Sequence, residues 1–167
     1  MKKTALVLIA SLLAASSSEA AMRISIDLSR QLLTAMRDGA ETVVWKISSG
    51  RTGYETPTGR YSVMRMEADH YSDEYDQAPM PYAIFFSPRG LAIHGSFERG
   101  LGRPRSHGCV RLAVNNAQKL FEWVEAHGGA TIEITGETPA AASRRASVRR
   151  RAPQLQPEVE VDQLYRY

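Results

Sequence analysis

Apolar residues recur at helical spacing in only one convincing stretch of this chain, and that restricts what the chain can fold into. Ala117, Leu120, Phe121 and Val124 fall at i, i+3, i+4 and i+7, which gives one apolar face to a helix from about Val114 to His127, stopped by Gly128-Gly129. The segments around it alternate instead. Met22, Ile24, Ile26 and Leu28 interleave with Arg23, Ser25 and Asp27, the pattern of a half-buried strand. Gln31 to Arg37 can pair with Thr42 to Ser48 through Asp38-Gly39, a dipeptide that tolerates the positive φ angles of a primed turn. Val43, Trp45 and Ile47 would give the second of these strands an apolar face. Extended character resumes over Arg60 to Met66, Tyr82 to Ser87 and Leu91 to His94, the last two joined by the turn sequence Ser87-Pro88-Arg89-Gly90. Ala130, Ile132 and Ile134 make a last strand. The expected fold class is mainly β, a β-rich α+β domain with one main helix. Glu67 to Pro81 is long, polar and aromatic, and loops of that size in a compact domain are functional lids or disordered inserts.

The ends read differently. Lys2 and Lys3, the apolar run Thr4 to Ala15 and the small residues of Ser18-Glu19-Ala20 form a secretory leader over residues 1–20. Its apolar run is too short to span a bilayer, which takes about 20 residues. From Glu137 to Tyr167 the composition turns to Pro, Ala, Ser, Arg and Glu without periodicity, so a disordered tail is expected after a domain over residues 21–136. Removing leader and tail leaves 13 basic and 13 acidic residues. The sequence pI of about 9.2 therefore belongs to the ends, and does not argue that the domain binds nucleic acid. Arg144-Arg145 and Arg149-Arg150-Arg151 could dock on an anionic envelope surface, although a solvated spacer explains them more simply. With the leader removed no membrane span is expected.

A single Cys excludes an internal disulfide framework and any multi-thiolate metal site. A free thiol in an exported protein is hazardous unless buried or used. Cys109 follows Ser106-His107-Gly108 in a polar loop, and His94 ends a strand. Thiol and imidazole together make a nucleophile and a base, because the thiolate is the reactive form and an imidazole can take its proton. Gly108 permits close backbone approach, so the N–H groups of Gly108 and Cys109 could converge on an oxyanion. Arg111 would add positive charge or bind a carboxylate. Each residue has a plainer reading: a lone Cys is often a small buried hydrophobe. A zinc site from His94, His107 and Cys109 has the right ligand types but no helical His pair and no further Cys, and ranks below covalent catalysis.

With these residues in place, the chain resembles the L,D-transpeptidase catalytic domain, the YkuD-type fold, over about Arg23 to Thr135. Ile26-Asp27-Leu28-Ser29-Arg30-Gln31 is similar to the family's first hairpin, and Ser48-Ser49-Gly50 with Thr56-Pro57-Thr58-Gly59 to its S-x-G … T-P-x-G signature. Ala78-Pro79-Met80-Pro81-Tyr82, Ile93-His94-Gly95 and Ser106-His107-Gly108-Cys109-Val110-Arg111-Leu112 follow in the family's order. Arg111 stands where many members have Asn, and the eleven residues between His94 and Ser106 are few for the family.

The resemblance implies a sandwich of mixed sheets with the main helix after the Cys loop. It implies Cys109 as nucleophile, His94 as general base and the Gly95 carbonyl as the group orienting its imidazole. Ser106, His107, Gly108 and Arg111 would support the oxyanion or the substrate, and Tyr82, Met80 and His70 would form a donor-peptide wall. It implies no metal and no organic cofactor. The partners implied are peptidoglycan stem peptides and, as a further acyl acceptor, an envelope protein, served by an exported monomer in the periplasm or cell envelope. The rivals are a Cys/His carboxypeptidase or wall peptidase, and a non-catalytic envelope-binding protein that retains the fold.

Overall fold

The computed structural model describes residues 22–37, 41–73 and 75–151. The leader, the Asp38-Gly39 turn and the tail beyond Arg151 lie outside them. In chain order the strands are β1 (Arg23–Asp27), β2 (Leu32–Arg37), β3 (Glu41–Lys46), β4 (Gly59–Ser62), β5 (Arg65–Glu67), β6 (Ala83–Phe85), β7 (Ala92–Ser96), β8 (Val110–Ala113) and β9 (Thr131–Thr135). Helix α1 (Val114–Ala126) follows β8 directly, and α2 (Pro139–Arg151) follows β9.

Two mixed sheets form, one ordered β3-β2-β1-β9-β4 and the other β5-β6-β7-β8. The β1–β9 and β7–β8 pairs are parallel and the others antiparallel. The expected hairpin is β2–β3, with Leu33 opposite Trp45 and Ala35 opposite Val43. Its neighbour β1–β2 turns at Asp27, whose carboxylate accepts the N–H groups of Ser29 and Arg30.

The strand period places the core. Ile24, Ile26, Leu33, Ile132 and Ile134 of the larger sheet meet Ile84, Ile93, Val110 and Leu112 of the smaller. Ala117, Leu120 and Val124 of α1 join them, as their spacing requires. Trp123 is buried as well, its ring beside Trp45 with an Arg37 guanidinium over it. Each fully buried aliphatic side chain here contributes roughly 1.5–3 kcal/mol of apolar burial. The outward-facing residues of the smaller sheet form a second cluster of Met80, Ala83, Phe85 and Ala92, against which Cys109 packs.

The stretch from Glu137 was expected to remain without order, but it begins with a helix. Ala and Arg favour helix, and Thr138 starts it by accepting the Ala141 N–H on its side chain and the Ala142 N–H on its carbonyl. Thr138 is buried, and Arg144 of α2 pairs with Glu55 at 2.6 Å. Residues 142–148 are exposed, and α2 carries almost no apolar face.

Candidate active site

Register on the smaller sheet assembles the site. Ile93 pairs with Val110 and His94 with Arg111, so the register carried one residue back sets Ala92 beside Cys109. Phe85 faces Ala92, and Arg65 faces Phe85. The outer face thus bears two rows: Arg65, Phe85, Ala92 and Cys109, then Glu67, Ala83, His94 and Arg111. Cys109 and His94 are thus diagonal neighbours on one face of adjacent parallel strands. Both line one cavity of about 260 Å³, together with Ser106, His107, Arg111, Met80 and His70.

His94 is 5% exposed. Its Nδ1 lies 2.7 Å from the Gly95 carbonyl oxygen, which can only accept, so Nδ1 carries the proton and Nε2 keeps its lone pair. Burial, assisted by the charge of Arg111, lowers its pKa to about 4 against the pull of the Gly95 hydrogen bond. The imidazole is therefore neutral at ordinary pH. Arg111 is held by Glu98 at 2.7 Å.

The Cys loop is braced by the segment that carries the S-x-G … T-P-x-G residues. Ser48 and Arg111 exchange both main-chain hydrogen bonds, at 3.0 and 2.9 Å. The Ser49 carbonyl accepts the N–H groups of Arg105 and Ser106, while buried Gln31 fixes Ser49 through its amide. Thr56 Oγ1 accepts the Gly50 N–H at 2.9 Å and donates to the Gly108 carbonyl at 2.8 Å. Gly50 is required by space, because a Cβ there would fall 1.9 Å from the Tyr54 carbonyl oxygen. Gly108 has φ 120°, a conformation that disfavours any side chain.

Ser106 works inside the loop: its Oγ donates to the Cys109 carbonyl at 2.5 Å and accepts the Gly108 N–H at 3.1 Å. One of the two main-chain donors expected at an oxyanion is thus already committed to Ser106. His107 is enclosed by Arg51, Tyr54 and Tyr75.

Met80 and His70 line the cavity, His70 bonded to Glu67 at 2.6 Å with its ring edge-on to Phe85. Tyr82 does not. It turns at φ 56° and packs on Phe121 of α1, away from the lining. His94, His107 and Cys109 are not gathered as a ligand set, since among the described residues no three His, Cys, Asp or Glu groups converge as metal ligands. Sequence reasoning missed Arg51, Tyr54 and Tyr75, whose only signal was position beside a signature or within a long aromatic loop.

The L,D-transpeptidase catalytic domain of the YkuD family matches residues 21–141. The chain belongs to that family. Solved L,D-transpeptidases share the fold. One from Stackebrandtia nassauensis is 26% identical with a TM-score of 0.63, over 78% of this chain and 63% of that one. One from Mycobacterium tuberculosis H37Rv is 24% identical with a TM-score of 0.63, over 70% and 58%. L,D-transpeptidase 3 of M. tuberculosis, solved with a faropenem-derived adduct, is 24% identical with a TM-score of 0.60, over 70% and 61%. This member of the family therefore spans about three fifths of the length of the solved structures it matches. No curated protein matches it significantly in sequence. Among its described residues no helix is long and apolar enough to cross a membrane.

Proposed function

We propose that this L,D-transpeptidase domain acts on peptidoglycan stem peptides through Cys109. The observation that carries the reading is the neutral, buried His94, with Nδ1–H fixed on the Gly95 carbonyl and Nε2 unprotonated, on the same sheet face and in the same cavity as Cys109.

His94 Nε2 takes the thiol proton as sulfur attacks the carbonyl of the third stem residue. The tetrahedral oxyanion forms against the loop main chain around Cys109, and Arg111 adds positive charge nearby. Collapse breaks the bond to the terminal D-Ala, whose amine leaves with the proton from His94. A thioester remains. An acceptor amine then attacks it, passing its proton through His94 back to the thiolate. Splitting one displacement into two lowers the barrier of each and calls for no further group. A second stem as acceptor gives a 3–3 crosslink, an envelope protein gives an anchored protein, and water gives a tripeptide. The leader residues support action outside the cytoplasm.

Mass spectrometry of the chain with purified disaccharide-tetrapeptide tests this, beside a Cys109→Ala control. The expected result is release of D-Ala with a 3–3 dimer, both absent in the control. Tripeptide alone assigns the enzyme to carboxypeptidases, and no Cys109-dependent change overturns the reading. An M. tuberculosis relative carries a faropenem-derived adduct. A carbapenem should likewise add its mass to Cys109 here, and leave Cys109→Ala unmodified.

A further inference from the structure

Three imidazoles line the cavity, those of His70, His94 and His107, and the surroundings treat the last two oppositely. His94 presents an unprotonated Nε2, whereas the Nε2 of His107 is occupied: Arg51 Nη2 lies 2.6 Å from it. A guanidinium has five donors and no acceptor, so Nε2 must accept, and the ring's proton sits on Nδ1.

Arg51 is itself fixed on three sides. Its N–H donates to the Ser106 carbonyl at 2.9 Å, its carbonyl accepts the Tyr54 N–H at 2.9 Å, and its guanidinium lies 4.5 Å over the Tyr54 ring. The same Tyr54 meets His107 edge-on at 4.8 Å, while Tyr75, from the long loop before β6, stacks on it at 4.2 Å and 21°. The ring two residues before Cys109 is therefore stacked on Tyr75, in edge contact with Tyr54 and capped at one nitrogen.

We propose that Arg51 is a positioning residue that holds His107 as the neutral Nδ1–H tautomer, so that His107 does not compete with His94 for the Cys109 proton. The role in turnover rests on the transpeptidase reading above; the tautomer does not. The charged groups facing His107 are Arg51 and Arg111, with Glu98 opposing them, and burial together with the two arginines lowers its pKa. Without Arg51, Nε2 regains its lone pair for water and protons. A second base, and at mildly acid pH a second cation, then stands beside the nucleophile.

Nitrogen NMR of the full chain with labelled histidine tests this in the wild type, Arg51→Met and Arg51→Lys. In the wild type, the His107 signals should report a protonated Nδ1 and a bare Nε2 at neutral pH. In Arg51→Met the ring should titrate at higher pH and the Nδ1–H preference should be lost. Arg51→Lys, which keeps a cationic donor, should restore the tautomer. Thioester formation from tetrapeptide should fall about tenfold in Arg51→Met, the size of one charge-assisted hydrogen bond, and be partly rescued in Arg51→Lys. An Nε2–H tautomer in the wild type, or His107 signals that Arg51→Met leaves unmoved, would overturn the proposal. Both readouts are independent of turnover, so failure of the stem-peptide reading would be seen separately, as an unchanged tetrapeptide in the wild type.

Discussion

The proposed chemistry turns on which nitrogen holds a proton, and the lowered pKa of His94 has a consequence for stability. A histidine whose pKa falls on folding from 6.5 to about 4 binds a proton in the unfolded chain before it does in the native one. Stability should accordingly fall as pH drops from about 6.5 towards 4, by roughly 3 kcal/mol for this group. Urea unfolding at pH 7 and pH 4.5 should show most of that loss in the wild type, with a correspondingly smaller drop in His94→Gln. On the proposed mechanism the same ionisation should set the acid limb of kcat/KM, since only neutral imidazole can accept the thiol proton. The charge of Arg111 disfavours imidazolium, so Arg111→Gln should move that limb to higher pH. An unmoved limb would mean that another group limits the rate in acid.

Among the elements, the short segment from Ser48 to Thr56 does more for the site than any strand length suggests. Thr56→Val removes a hydroxyl that joins two main chains and leaves a buried N–H and a buried carbonyl without it. The expected loss is about 1–3 kcal/mol, with a fall in kcat as the Cys loop slackens, read from urea melts and turnover on one preparation. Leu120→Ala, in the core on α1, should cost about 2–5 kcal/mol and leave KM unchanged. The strands and α1 were legible because period 2 and period 3.6 are local signals, and Cys109, His94 and Met80 could be marked from residue type and motif. Tyr82 was misplaced because its left-handed backbone turns the ring through the loop, which side-chain chemistry does not report. Arg51 and Tyr75 meet His107 across 56 and 32 residues of sequence, a closeness that only the folded sheets create. The helix over Pro139–Arg151 escaped notice because periodicity detects helices with an apolar face, and this one has next to none.

For the whole molecule, α2 is an appendage on a finished domain. Its ion pair to Glu55 is exposed at both ends, where water screens it and salt weakens it further. Ending the chain after Ala141 keeps the buried Thr138 and should change stability by under about 1 kcal/mol, with the rate on soluble tetrapeptide unaltered. A large change would show that the helix supports the loop beneath it. The two rows across the outer sheet carry a different consequence. Cys109, which leads into β8, and His94 of β7, the proposed nucleophile and base, are aligned by the pairing of β7 with β8. A slip of one residue would turn Val110 outward and bury the thiol. Covalent labelling therefore doubles as a folding assay: in a refolding mixture, the fraction of chains a carbapenem can titrate would count those that have zipped in the correct frame, with the chemistry proofreading the fold.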